Sequence, residues 1–249
     1  MNLDAIRNKL SQLQKTTQKQ DNLWKPEPGK TQIRIVPYQH NKDNPFTEMY
    51  FHYDIGKKTH LSPTTYGNPD PIVEFAEKLK NTGQSDDWKM GRKLEPKLRT
   101  YVPILVRGKE SEGVKYWGFG KQIYQELLGF IADEDYGDIT DFKNGRDVVV
   151  EYQKGEDVGN TYGKISIRIK PNSTLVTDDK AILEKVVNGQ KDLKEIFQEP
   201  SYDDLKLALQ QWMNPDEDAT ATEQAPAATK STKKTDDVSS AFEELFDEK

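Results

Sequence analysis

Cations and aromatic rings alternate through one stretch of this chain in a way that suits unpaired nucleic acid. Arg92, Lys93, Lys97, Arg99, Arg107, Lys115 and Lys121 are interleaved with Trp88, Tyr101, Tyr116, Trp117 and Phe119. Cations can follow a phosphate backbone while ring faces stack on exposed bases, each stacked base being worth ~1–3 kcal/mol whatever its identity. Residues 89–121 hold nine basic and three acidic residues, a local net of +6. The bland alternative is that the aromatics are strand residues facing a core and the cations an ordinary solvated surface.

No other chemistry stands out. Cysteine is absent, which removes disulfides, thiolate metal sites and cysteine nucleophiles. The three histidines, His40, His52 and His60, form no His-Glu-x-x-His array. There is no phosphate-binding Gly-x-x-x-x-Gly-Lys-[Ser/Thr] loop and no nucleophile elbow. Asp133-Glu134-Asp135-Tyr136-Gly137-Asp138 lacks the sixth-position glycine and twelfth-position glutamate of a calcium loop, so it reads as a solvated acidic loop. Gly118-Phe119-Gly120 imitates part of an RNA-recognition motif, but Lys121-Gln122 replaces the aromatic-Val pair that should follow. A non-enzymatic binding protein is expected.

The elements that must position these residues read mainly as strands. Turn-rich Trp24-Lys25-Pro26-Glu27-Pro28-Gly29 leads into a strand at 31–37, with further strands at 49–55, 100–107, 114–118, 147–154 and 164–170. Glycine-containing hairpin signals lie at 109–113 and 155–163. Helices are predicted over 71–80 and over 121–132, the latter with Ile123, Leu127, Leu128 and Ile131 on one face. Two more are predicted within 177–213. Five or six twisted strands with an inserted helix suit a Greek-key barrel of the oligonucleotide-binding (OB) type, and an open sandwich fits the strand count nearly as well.

Charge divides the chain. The net charge of −6 belongs to residues 214–249, which hold ten acidic and four basic residues; the remaining 213 residues carry 32 of each sign. Residues 1–25 hold five basic and two acidic residues, and Leu3, Ile6, Leu10 and Leu13 recur there at helical spacing. Residues 219–235, built from Ala, Thr, Glu, Gln and Lys, have too little apolar surface to offset chain entropy and are expected to be disordered. Phe242, Leu245 and Phe246 then return at helical spacing among carboxylates, the pattern of a segment that folds onto a partner. With no apolar run of membrane length and no signal-peptide pattern at Met1-Asn2-Leu3-Asp4, a soluble intracellular protein is expected.

The ordered set of motifs resembles the single-stranded-DNA-binding (helix-destabilising) proteins of T4-like bacteriophages. Ile33-Arg34-Ile35-Val36-Pro37 resembles the family's first core strand. Ile104-Leu105-Val106, Glu112-Gly113, Lys115-Tyr116 and Phe119-Gly120-Lys121-x-Ile123 follow in the family's order and spacing. The resemblance covers roughly residues 24–200 and implies three parts. Residues 1–22 would be a basic arm for cooperative self-association, 23–213 an OB-fold core with an inserted subdomain and C-terminal helices, and 214–249 a linker with an acidic protein-interaction tail.

By position the resemblance places Arg34, Lys97, Tyr116, Lys121 and Tyr162 along the DNA cleft, with Thr100 and Tyr101 straddling an aromatic position. Lys57, Lys58, Arg92, Lys93, Arg99, Lys115, Trp117 and Phe119 complete the candidate DNA contacts. In the arm, Arg7, Lys9 and the cluster Lys15-Thr16-Thr17-Gln18-Lys19 are the candidates for self-association. Phe242, Leu245 and Phe246 would contact phage replication and recombination proteins. The family's better-known members bind a structural zinc through one histidine and three cysteines. Here His52 stands near the histidine position with no cysteine to join it, so the zinc is expected to be lost and no cofactor is implied. Its place would be taken by packing among Tyr66, Ile72, Val73, Phe75 and Leu79.

The function so implied is sequence-independent, cooperative coating of single-stranded DNA during phage replication, recombination and repair, in the cytoplasm of an infected bacterium and without membrane contact. Two rivals stay open: an RNA-binding OB or RNA-recognition regulator, and a protein–protein adaptor acting through the acidic tail.

Overall fold

A computed structural model describes residues 22–213 together with Phe242, Leu245 and Phe246. The arm candidates Arg7, Lys9, Lys15, Thr16, Thr17 and Lys19, and the linker 219–235, lie outside the described residues. Eight strands follow in chain order: β1 (Leu23–Trp24), β2 (Gly29–Ile35), β3 (Thr47–Ile55), β4 (Lys58–Leu61), β5 (Lys97–Val106), β6 (Lys115–Gly120), β7 (Arg146–Gln153) and β8 (Lys164–Ser173). Among the described residues five helices of two turns or more accompany them: α1 (Pro71–Asn81), α2 (Ser85–Leu94), α3 (Lys121–Ala132), α4 (Lys180–Asn188) and α5 (Tyr202–Met213). The protein is mainly β with α additions.

The chain forms two compact units. Among the described residues the first comprises 22–48 and 99–197, and the second 49–98 with 198–213 and the three tail residues. The helical segment expected over 177–213 is therefore shared: α4 belongs to the first unit and α5 to the second.

In the first unit the sheet runs β1-β6-β5-β2-β7-β8. Its pairs are antiparallel except β1 with β6, where Leu23 faces Tyr116 and Trp24 faces Trp117. Among the described residues nothing pairs β1 with β8, so the sheet is open rather than a closed barrel. α3 follows β6 directly and packs on β8, so it reaches across a sheet in which three strands separate β6 from β8.

Strand alternation assigns one face to Ile33, Ile35, Val102, Ile104, Trp117, Phe119, Val148, Val150, Ile167 and Ile169, all buried. Phe46 packs edge-on against Phe119 on this side. On the opposite face a strap of residues 174–197 lies across β2, β5 and β6. Val176 and Val186 pack there on Val36 and Leu105, and Phe197 on Tyr101. A sheet covered on both faces buries consecutive residues, which is why Tyr116 and Trp117 are both inaccessible.

The second unit is built on the β3–β4 hairpin, α1, α2 and α5. Asp70 caps α1 by accepting from the N–H groups of Ile72 and Val73, and Pro71 fits the first helical position. Ile72, Phe75, Ala76 and Leu79 then recur at helical spacing and bury one face against Ile55, Leu94, Leu205 and Leu209. Gly91 of α2 approaches α1 closely: a Cβ there would stand 2.6 Å from the Ala76 carbonyl oxygen.

Candidate nucleic-acid interface

The β5–β6 hairpin carries most of the residues singled out in the sequence, and it turns most of them inward. Its register sets Arg99 opposite Gly120, Tyr101 opposite Gly118, and Val102 opposite Trp117. Gly118 is required: a Cβ there would sit 2.5 Å from Tyr101 Cε1, so the Tyr101 ring can lie over the strand only because position 118 has no side chain. That ring meets Phe197 at 4.7 Å. Trp117 packs on Trp24 and Phe119, with ring centroids 5.8 and 4.6 Å apart. Tyr116 donates its hydroxyl to the Lys191 carbonyl, and burial pushes its phenol far above the ordinary tyrosine value, so it stays neutral. The expected stacking roles of Tyr101, Tyr116, Trp117 and Phe119 are thus corrected. Each is at most 7% exposed, and none presents a ring face to a base.

Arg34 is corrected in the same way. It is completely buried and forms an ion pair with Asp147, Nε to Oδ1 at 2.8 Å. Its Nη1 and Nη2 donate to the Thr174 carbonyl at 3.0 and 2.9 Å. Arg107 joins the same carboxylate, Nη2 to Oδ1 at 2.8 Å, and donates to the carbonyls of Leu175 and Val176. Gln32 Nε2 supplies a further bond to Asp147 at 2.6 Å. Burial alone would raise the Asp147 carboxyl, but the Arg107 hydrogen bonds, the Arg34 charge and Gln32 hold it below its ordinary value. Two arginines and one aspartate therefore pin the strap to the sheet, and neither guanidinium is available for phosphate.

What remains exposed falls into two patches. In the first unit, the β7–β8 connection presents Tyr162 with 90% of its surface in water. Its backbone is fixed, because Asn160 Oδ1 accepts from the N–H groups of Tyr162 and Gly163 at 2.9 and 2.6 Å. Exposed Lys154 and Lys164 flank the loop, beside the acidic Glu156 and Asp157, and Arg168 continues the outward row of β8. Elsewhere in this unit Lys121 is exposed in the first turn of α3, a helix whose N-terminus no side chain caps. Arg99 and Lys115 are half-buried; Arg99 Nη2 donates to Gly118 O, and Lys115 lies 3.9 Å from Glu112.

In the second unit, α2 presents Trp88, half exposed, one helical turn from Arg92, whose guanidinium lies 5.5 Å from the indole centroid. Lys89 and Lys93 share the exposed surface of this helix, and Lys97 follows it. Lys57 and Lys58 are exposed in the β3–β4 turn, where Lys57 takes a left-handed backbone (φ 60) beside Gly56.

The sequence reading passed over Lys154, Lys164 and Arg168. The signal was present: in Lys164-Ile165-Ser166-Ile167-Arg168-Ile169-Lys170, isoleucines alternate with polar residues, which sets the cations on the outward face. It also missed Asp147 as the partner of Arg34. Two further atoms lie buried in the β5–β6 hairpin with no partner among the described residues, Thr100 Oγ1 and Trp117 Nε1.

An open sheet with exposed cations and exposed aromatic rings is the equipment of a nucleic-acid-binding protein. The chain matches the family model described as gp32 DNA binding protein like over residues 27–214 and belongs to that family. This bears out the resemblance to the single-stranded-DNA-binding proteins of T4-like phages. No curated protein sequence matches the chain.

The zinc of the better-known relatives does not fit the residues present. His52 is buried, with Nδ1 2.7 Å from the Leu94 carbonyl oxygen and Nε2 2.9 Å from Asp70 Oδ2. Both ring nitrogens are thus engaged with oxygen atoms of the protein, and neither is directed at a place for a metal. Ser62 Oγ donates to the same Asp70 oxygen. Where the resemblance would place a metal, the second unit has a hydrogen-bonded clasp of His52, Asp70 and Ser62, beside the apolar packing of Ile72, Phe75 and Leu79. Tyr66 and Val73, also expected in that packing, are only half-buried.

Proposed function

We propose that the protein binds single-stranded DNA without sequence preference, in phage DNA replication, recombination and repair within the bacterial host's cytoplasm. The observation that carries this reading is the pairing of exposed rings with cations in both units, in a chain whose family is DNA-binding. Tyr162 and Trp88 would stack on bases. Lys57, Lys58, Arg92, Lys93, Lys97 and Lys121, joined by Lys154, Lys164 and Arg168, would meet phosphates, with Arg99 and Lys115 adding charge. The first unit would be a partly open OB-type sheet, a reading that its antiparallel strands and the helix α3 between β6 and β7 support. Residues 1–22 would join neighbours along the strand, and the tail would recruit replication and recombination proteins. The protein would work without zinc and without a catalytic step.

Titrating the protein with poly(dT) and with matched RNA, at several salt concentrations, tests this. Quenching of tryptophan fluorescence by DNA with a steep salt dependence supports it. Preference for RNA would favour the translational regulator, since only RNA offers a 2′-hydroxyl. Quenching by neither would leave the adaptor reading.

A further inference from the structure

Phe242, Leu245 and Phe246 of the acidic tail do not stand clear of the protein. Phe242 is 5% exposed, a burial fit for a core residue rather than for a ring near a chain end. It completes the second unit's hydrophobic core, in contact with a group that includes Phe75, Leu79, Leu205 and Leu209. Its ring meets Phe75 edge-on at 5.9 Å and Phe246 at 4.6 Å. Phe246 in turn lies 6.4 Å from Tyr202. Lys206 of α5 closes over both rings, its Nζ 4.8 Å from the Phe246 centroid and 6.0 Å from that of Phe242, and donates to the Phe246 carbonyl at 3.4 Å. Without the tail, α1 and α5 would leave a trough of Phe75, Leu79, Leu205 and Leu209 open to water.

We propose that this trough is a peptide-binding groove whose resident ligand is the chain's own Phe242-x-x-Leu245-Phe246 segment, held in cis as a reversible latch. Three features favour this occupant. The anchors recur one helical turn apart, matching the α1–α5 trough as an amphipathic helix matches a groove. Lys206 supplies cation–π contacts that an aromatic peptide can use and an aliphatic one cannot. Finally, residues 214–241 separate Met213 from Phe242, a tether of 28 residues. That covalent link raises the effective concentration of the segment at its own groove.

The latch has a consequence for recruitment. Any partner that reads Phe242, Leu245 and Phe246 must first draw them out of the groove, so its apparent affinity is reduced by the fraction of tails that are free. This consequence rests on the tail's proposed role in recruitment; the latch itself does not, nor does it depend on DNA binding.

The test uses a fluorescent peptide of residues 236–249 and the full-length chain, with anisotropy as the readout. Wild-type protein should take up the peptide weakly because its groove is filled. The full-length Phe242→Ala variant, with its own latch released, should bind the peptide about tenfold more tightly or better. Phe246→Ala, at a half-buried position, should act in the same direction and guards against a folding defect in Phe242→Ala. Adding Lys206→Glu to either variant should weaken the uptake again, and a peptide carrying Phe242→Ala should bind none of them. Equal uptake by wild type and both variants, or uptake by neither variant, would overturn the latch. An apparent wild-type affinity that changes with protein concentration would overturn it too, by showing that the groove holds a second copy's tail.

Discussion

The β5–β6 and β7–β8 hairpins draw on the same two residue classes, aromatics and cations, and put them to opposite uses. In β5–β6, Tyr101, Tyr116, Trp117 and Phe119 lie between a strap and a helix-backed core. In β7–β8, Tyr162 projects into water from a connection held by Asn160, and among the described residues no layer covers Lys164 or Arg168. The difference arises from what lies over the sheet, since residues 174–197 cross β2, β5 and β6. A ring beneath them contributes burial energy; one beyond them is available to stack. Aromatic content therefore marks where a fold is strong as readily as where it binds, and covering layers decide between the two.

The comparison breaks most visibly at the pin beneath the strap. Asp147→Ala would leave the buried Arg34 without its ion-pair partner and Arg107 with Glu110 alone, at an expected cost of about 3–5 kcal/mol of folding stability by chemical denaturation. Trp117→Ala should cost a similar ~3–5 kcal/mol through lost burial, while the folded fraction keeps its DNA affinity. Trp88→Ala and Tyr162→Ala should show the reverse. Each should weaken binding to poly(dT) by ~1–3 kcal/mol with little change in stability and none in salt slope, because stacking releases no counterions.

Acid sharpens the contrast from another side. Burial alone would raise the Asp70 carboxyl, but the hydrogen bond and charge of His52, with Ser62 and the Ile72 N–H, hold it below its ordinary value, and Asp147 is held low likewise. A carboxyl with a depressed folded value contributes stability that is fully present above the unfolded value, about 3.9. That stability is lost as pH falls through the folded value. Melting temperature should therefore hold steady down to about pH 4 and drop below it, and Asp70→Asn should flatten the drop. The smallest effect belongs to a single phosphate contact: Lys121→Ala should lower the salt slope by about 0.7 and weaken binding to all sequences alike.

Much of this was legible in the residues, and the failures have one physical cause. The strands at 49–55, 147–154 and 164–170 and the helices at 71–80 and 121–132 are present to within a few residues, because period-2 and period-3.6 patterns report one covered face. Exposure was readable for Tyr162, Lys97 and Lys121. It failed for Arg34, Tyr101 and Tyr116, all on the strap side, because the residues that cover them lie 75 or more positions further along the chain. No local pattern announces that an arginine in a strand has Asp147 as its partner, 113 residues away. The tail shows the same limit: its helical spacing was plain, but its groove in the second unit was not.

The central claim is that exposed rings, and not the buried ones, meet the DNA. Photocrosslinking the protein to an oligonucleotide of 5-iodouracil, followed by mass spectrometry of the attached peptides, tests it most directly. Adducts at Trp88 and Tyr162, lost in competition with unlabelled poly(dT), are the predicted result. Adducts at Tyr101, Tyr116, Trp117 or Phe119, with Trp88 and Tyr162 unmodified, would contradict it; at Tyr101 or Tyr116 they would also show that the strap leaves the sheet when DNA binds.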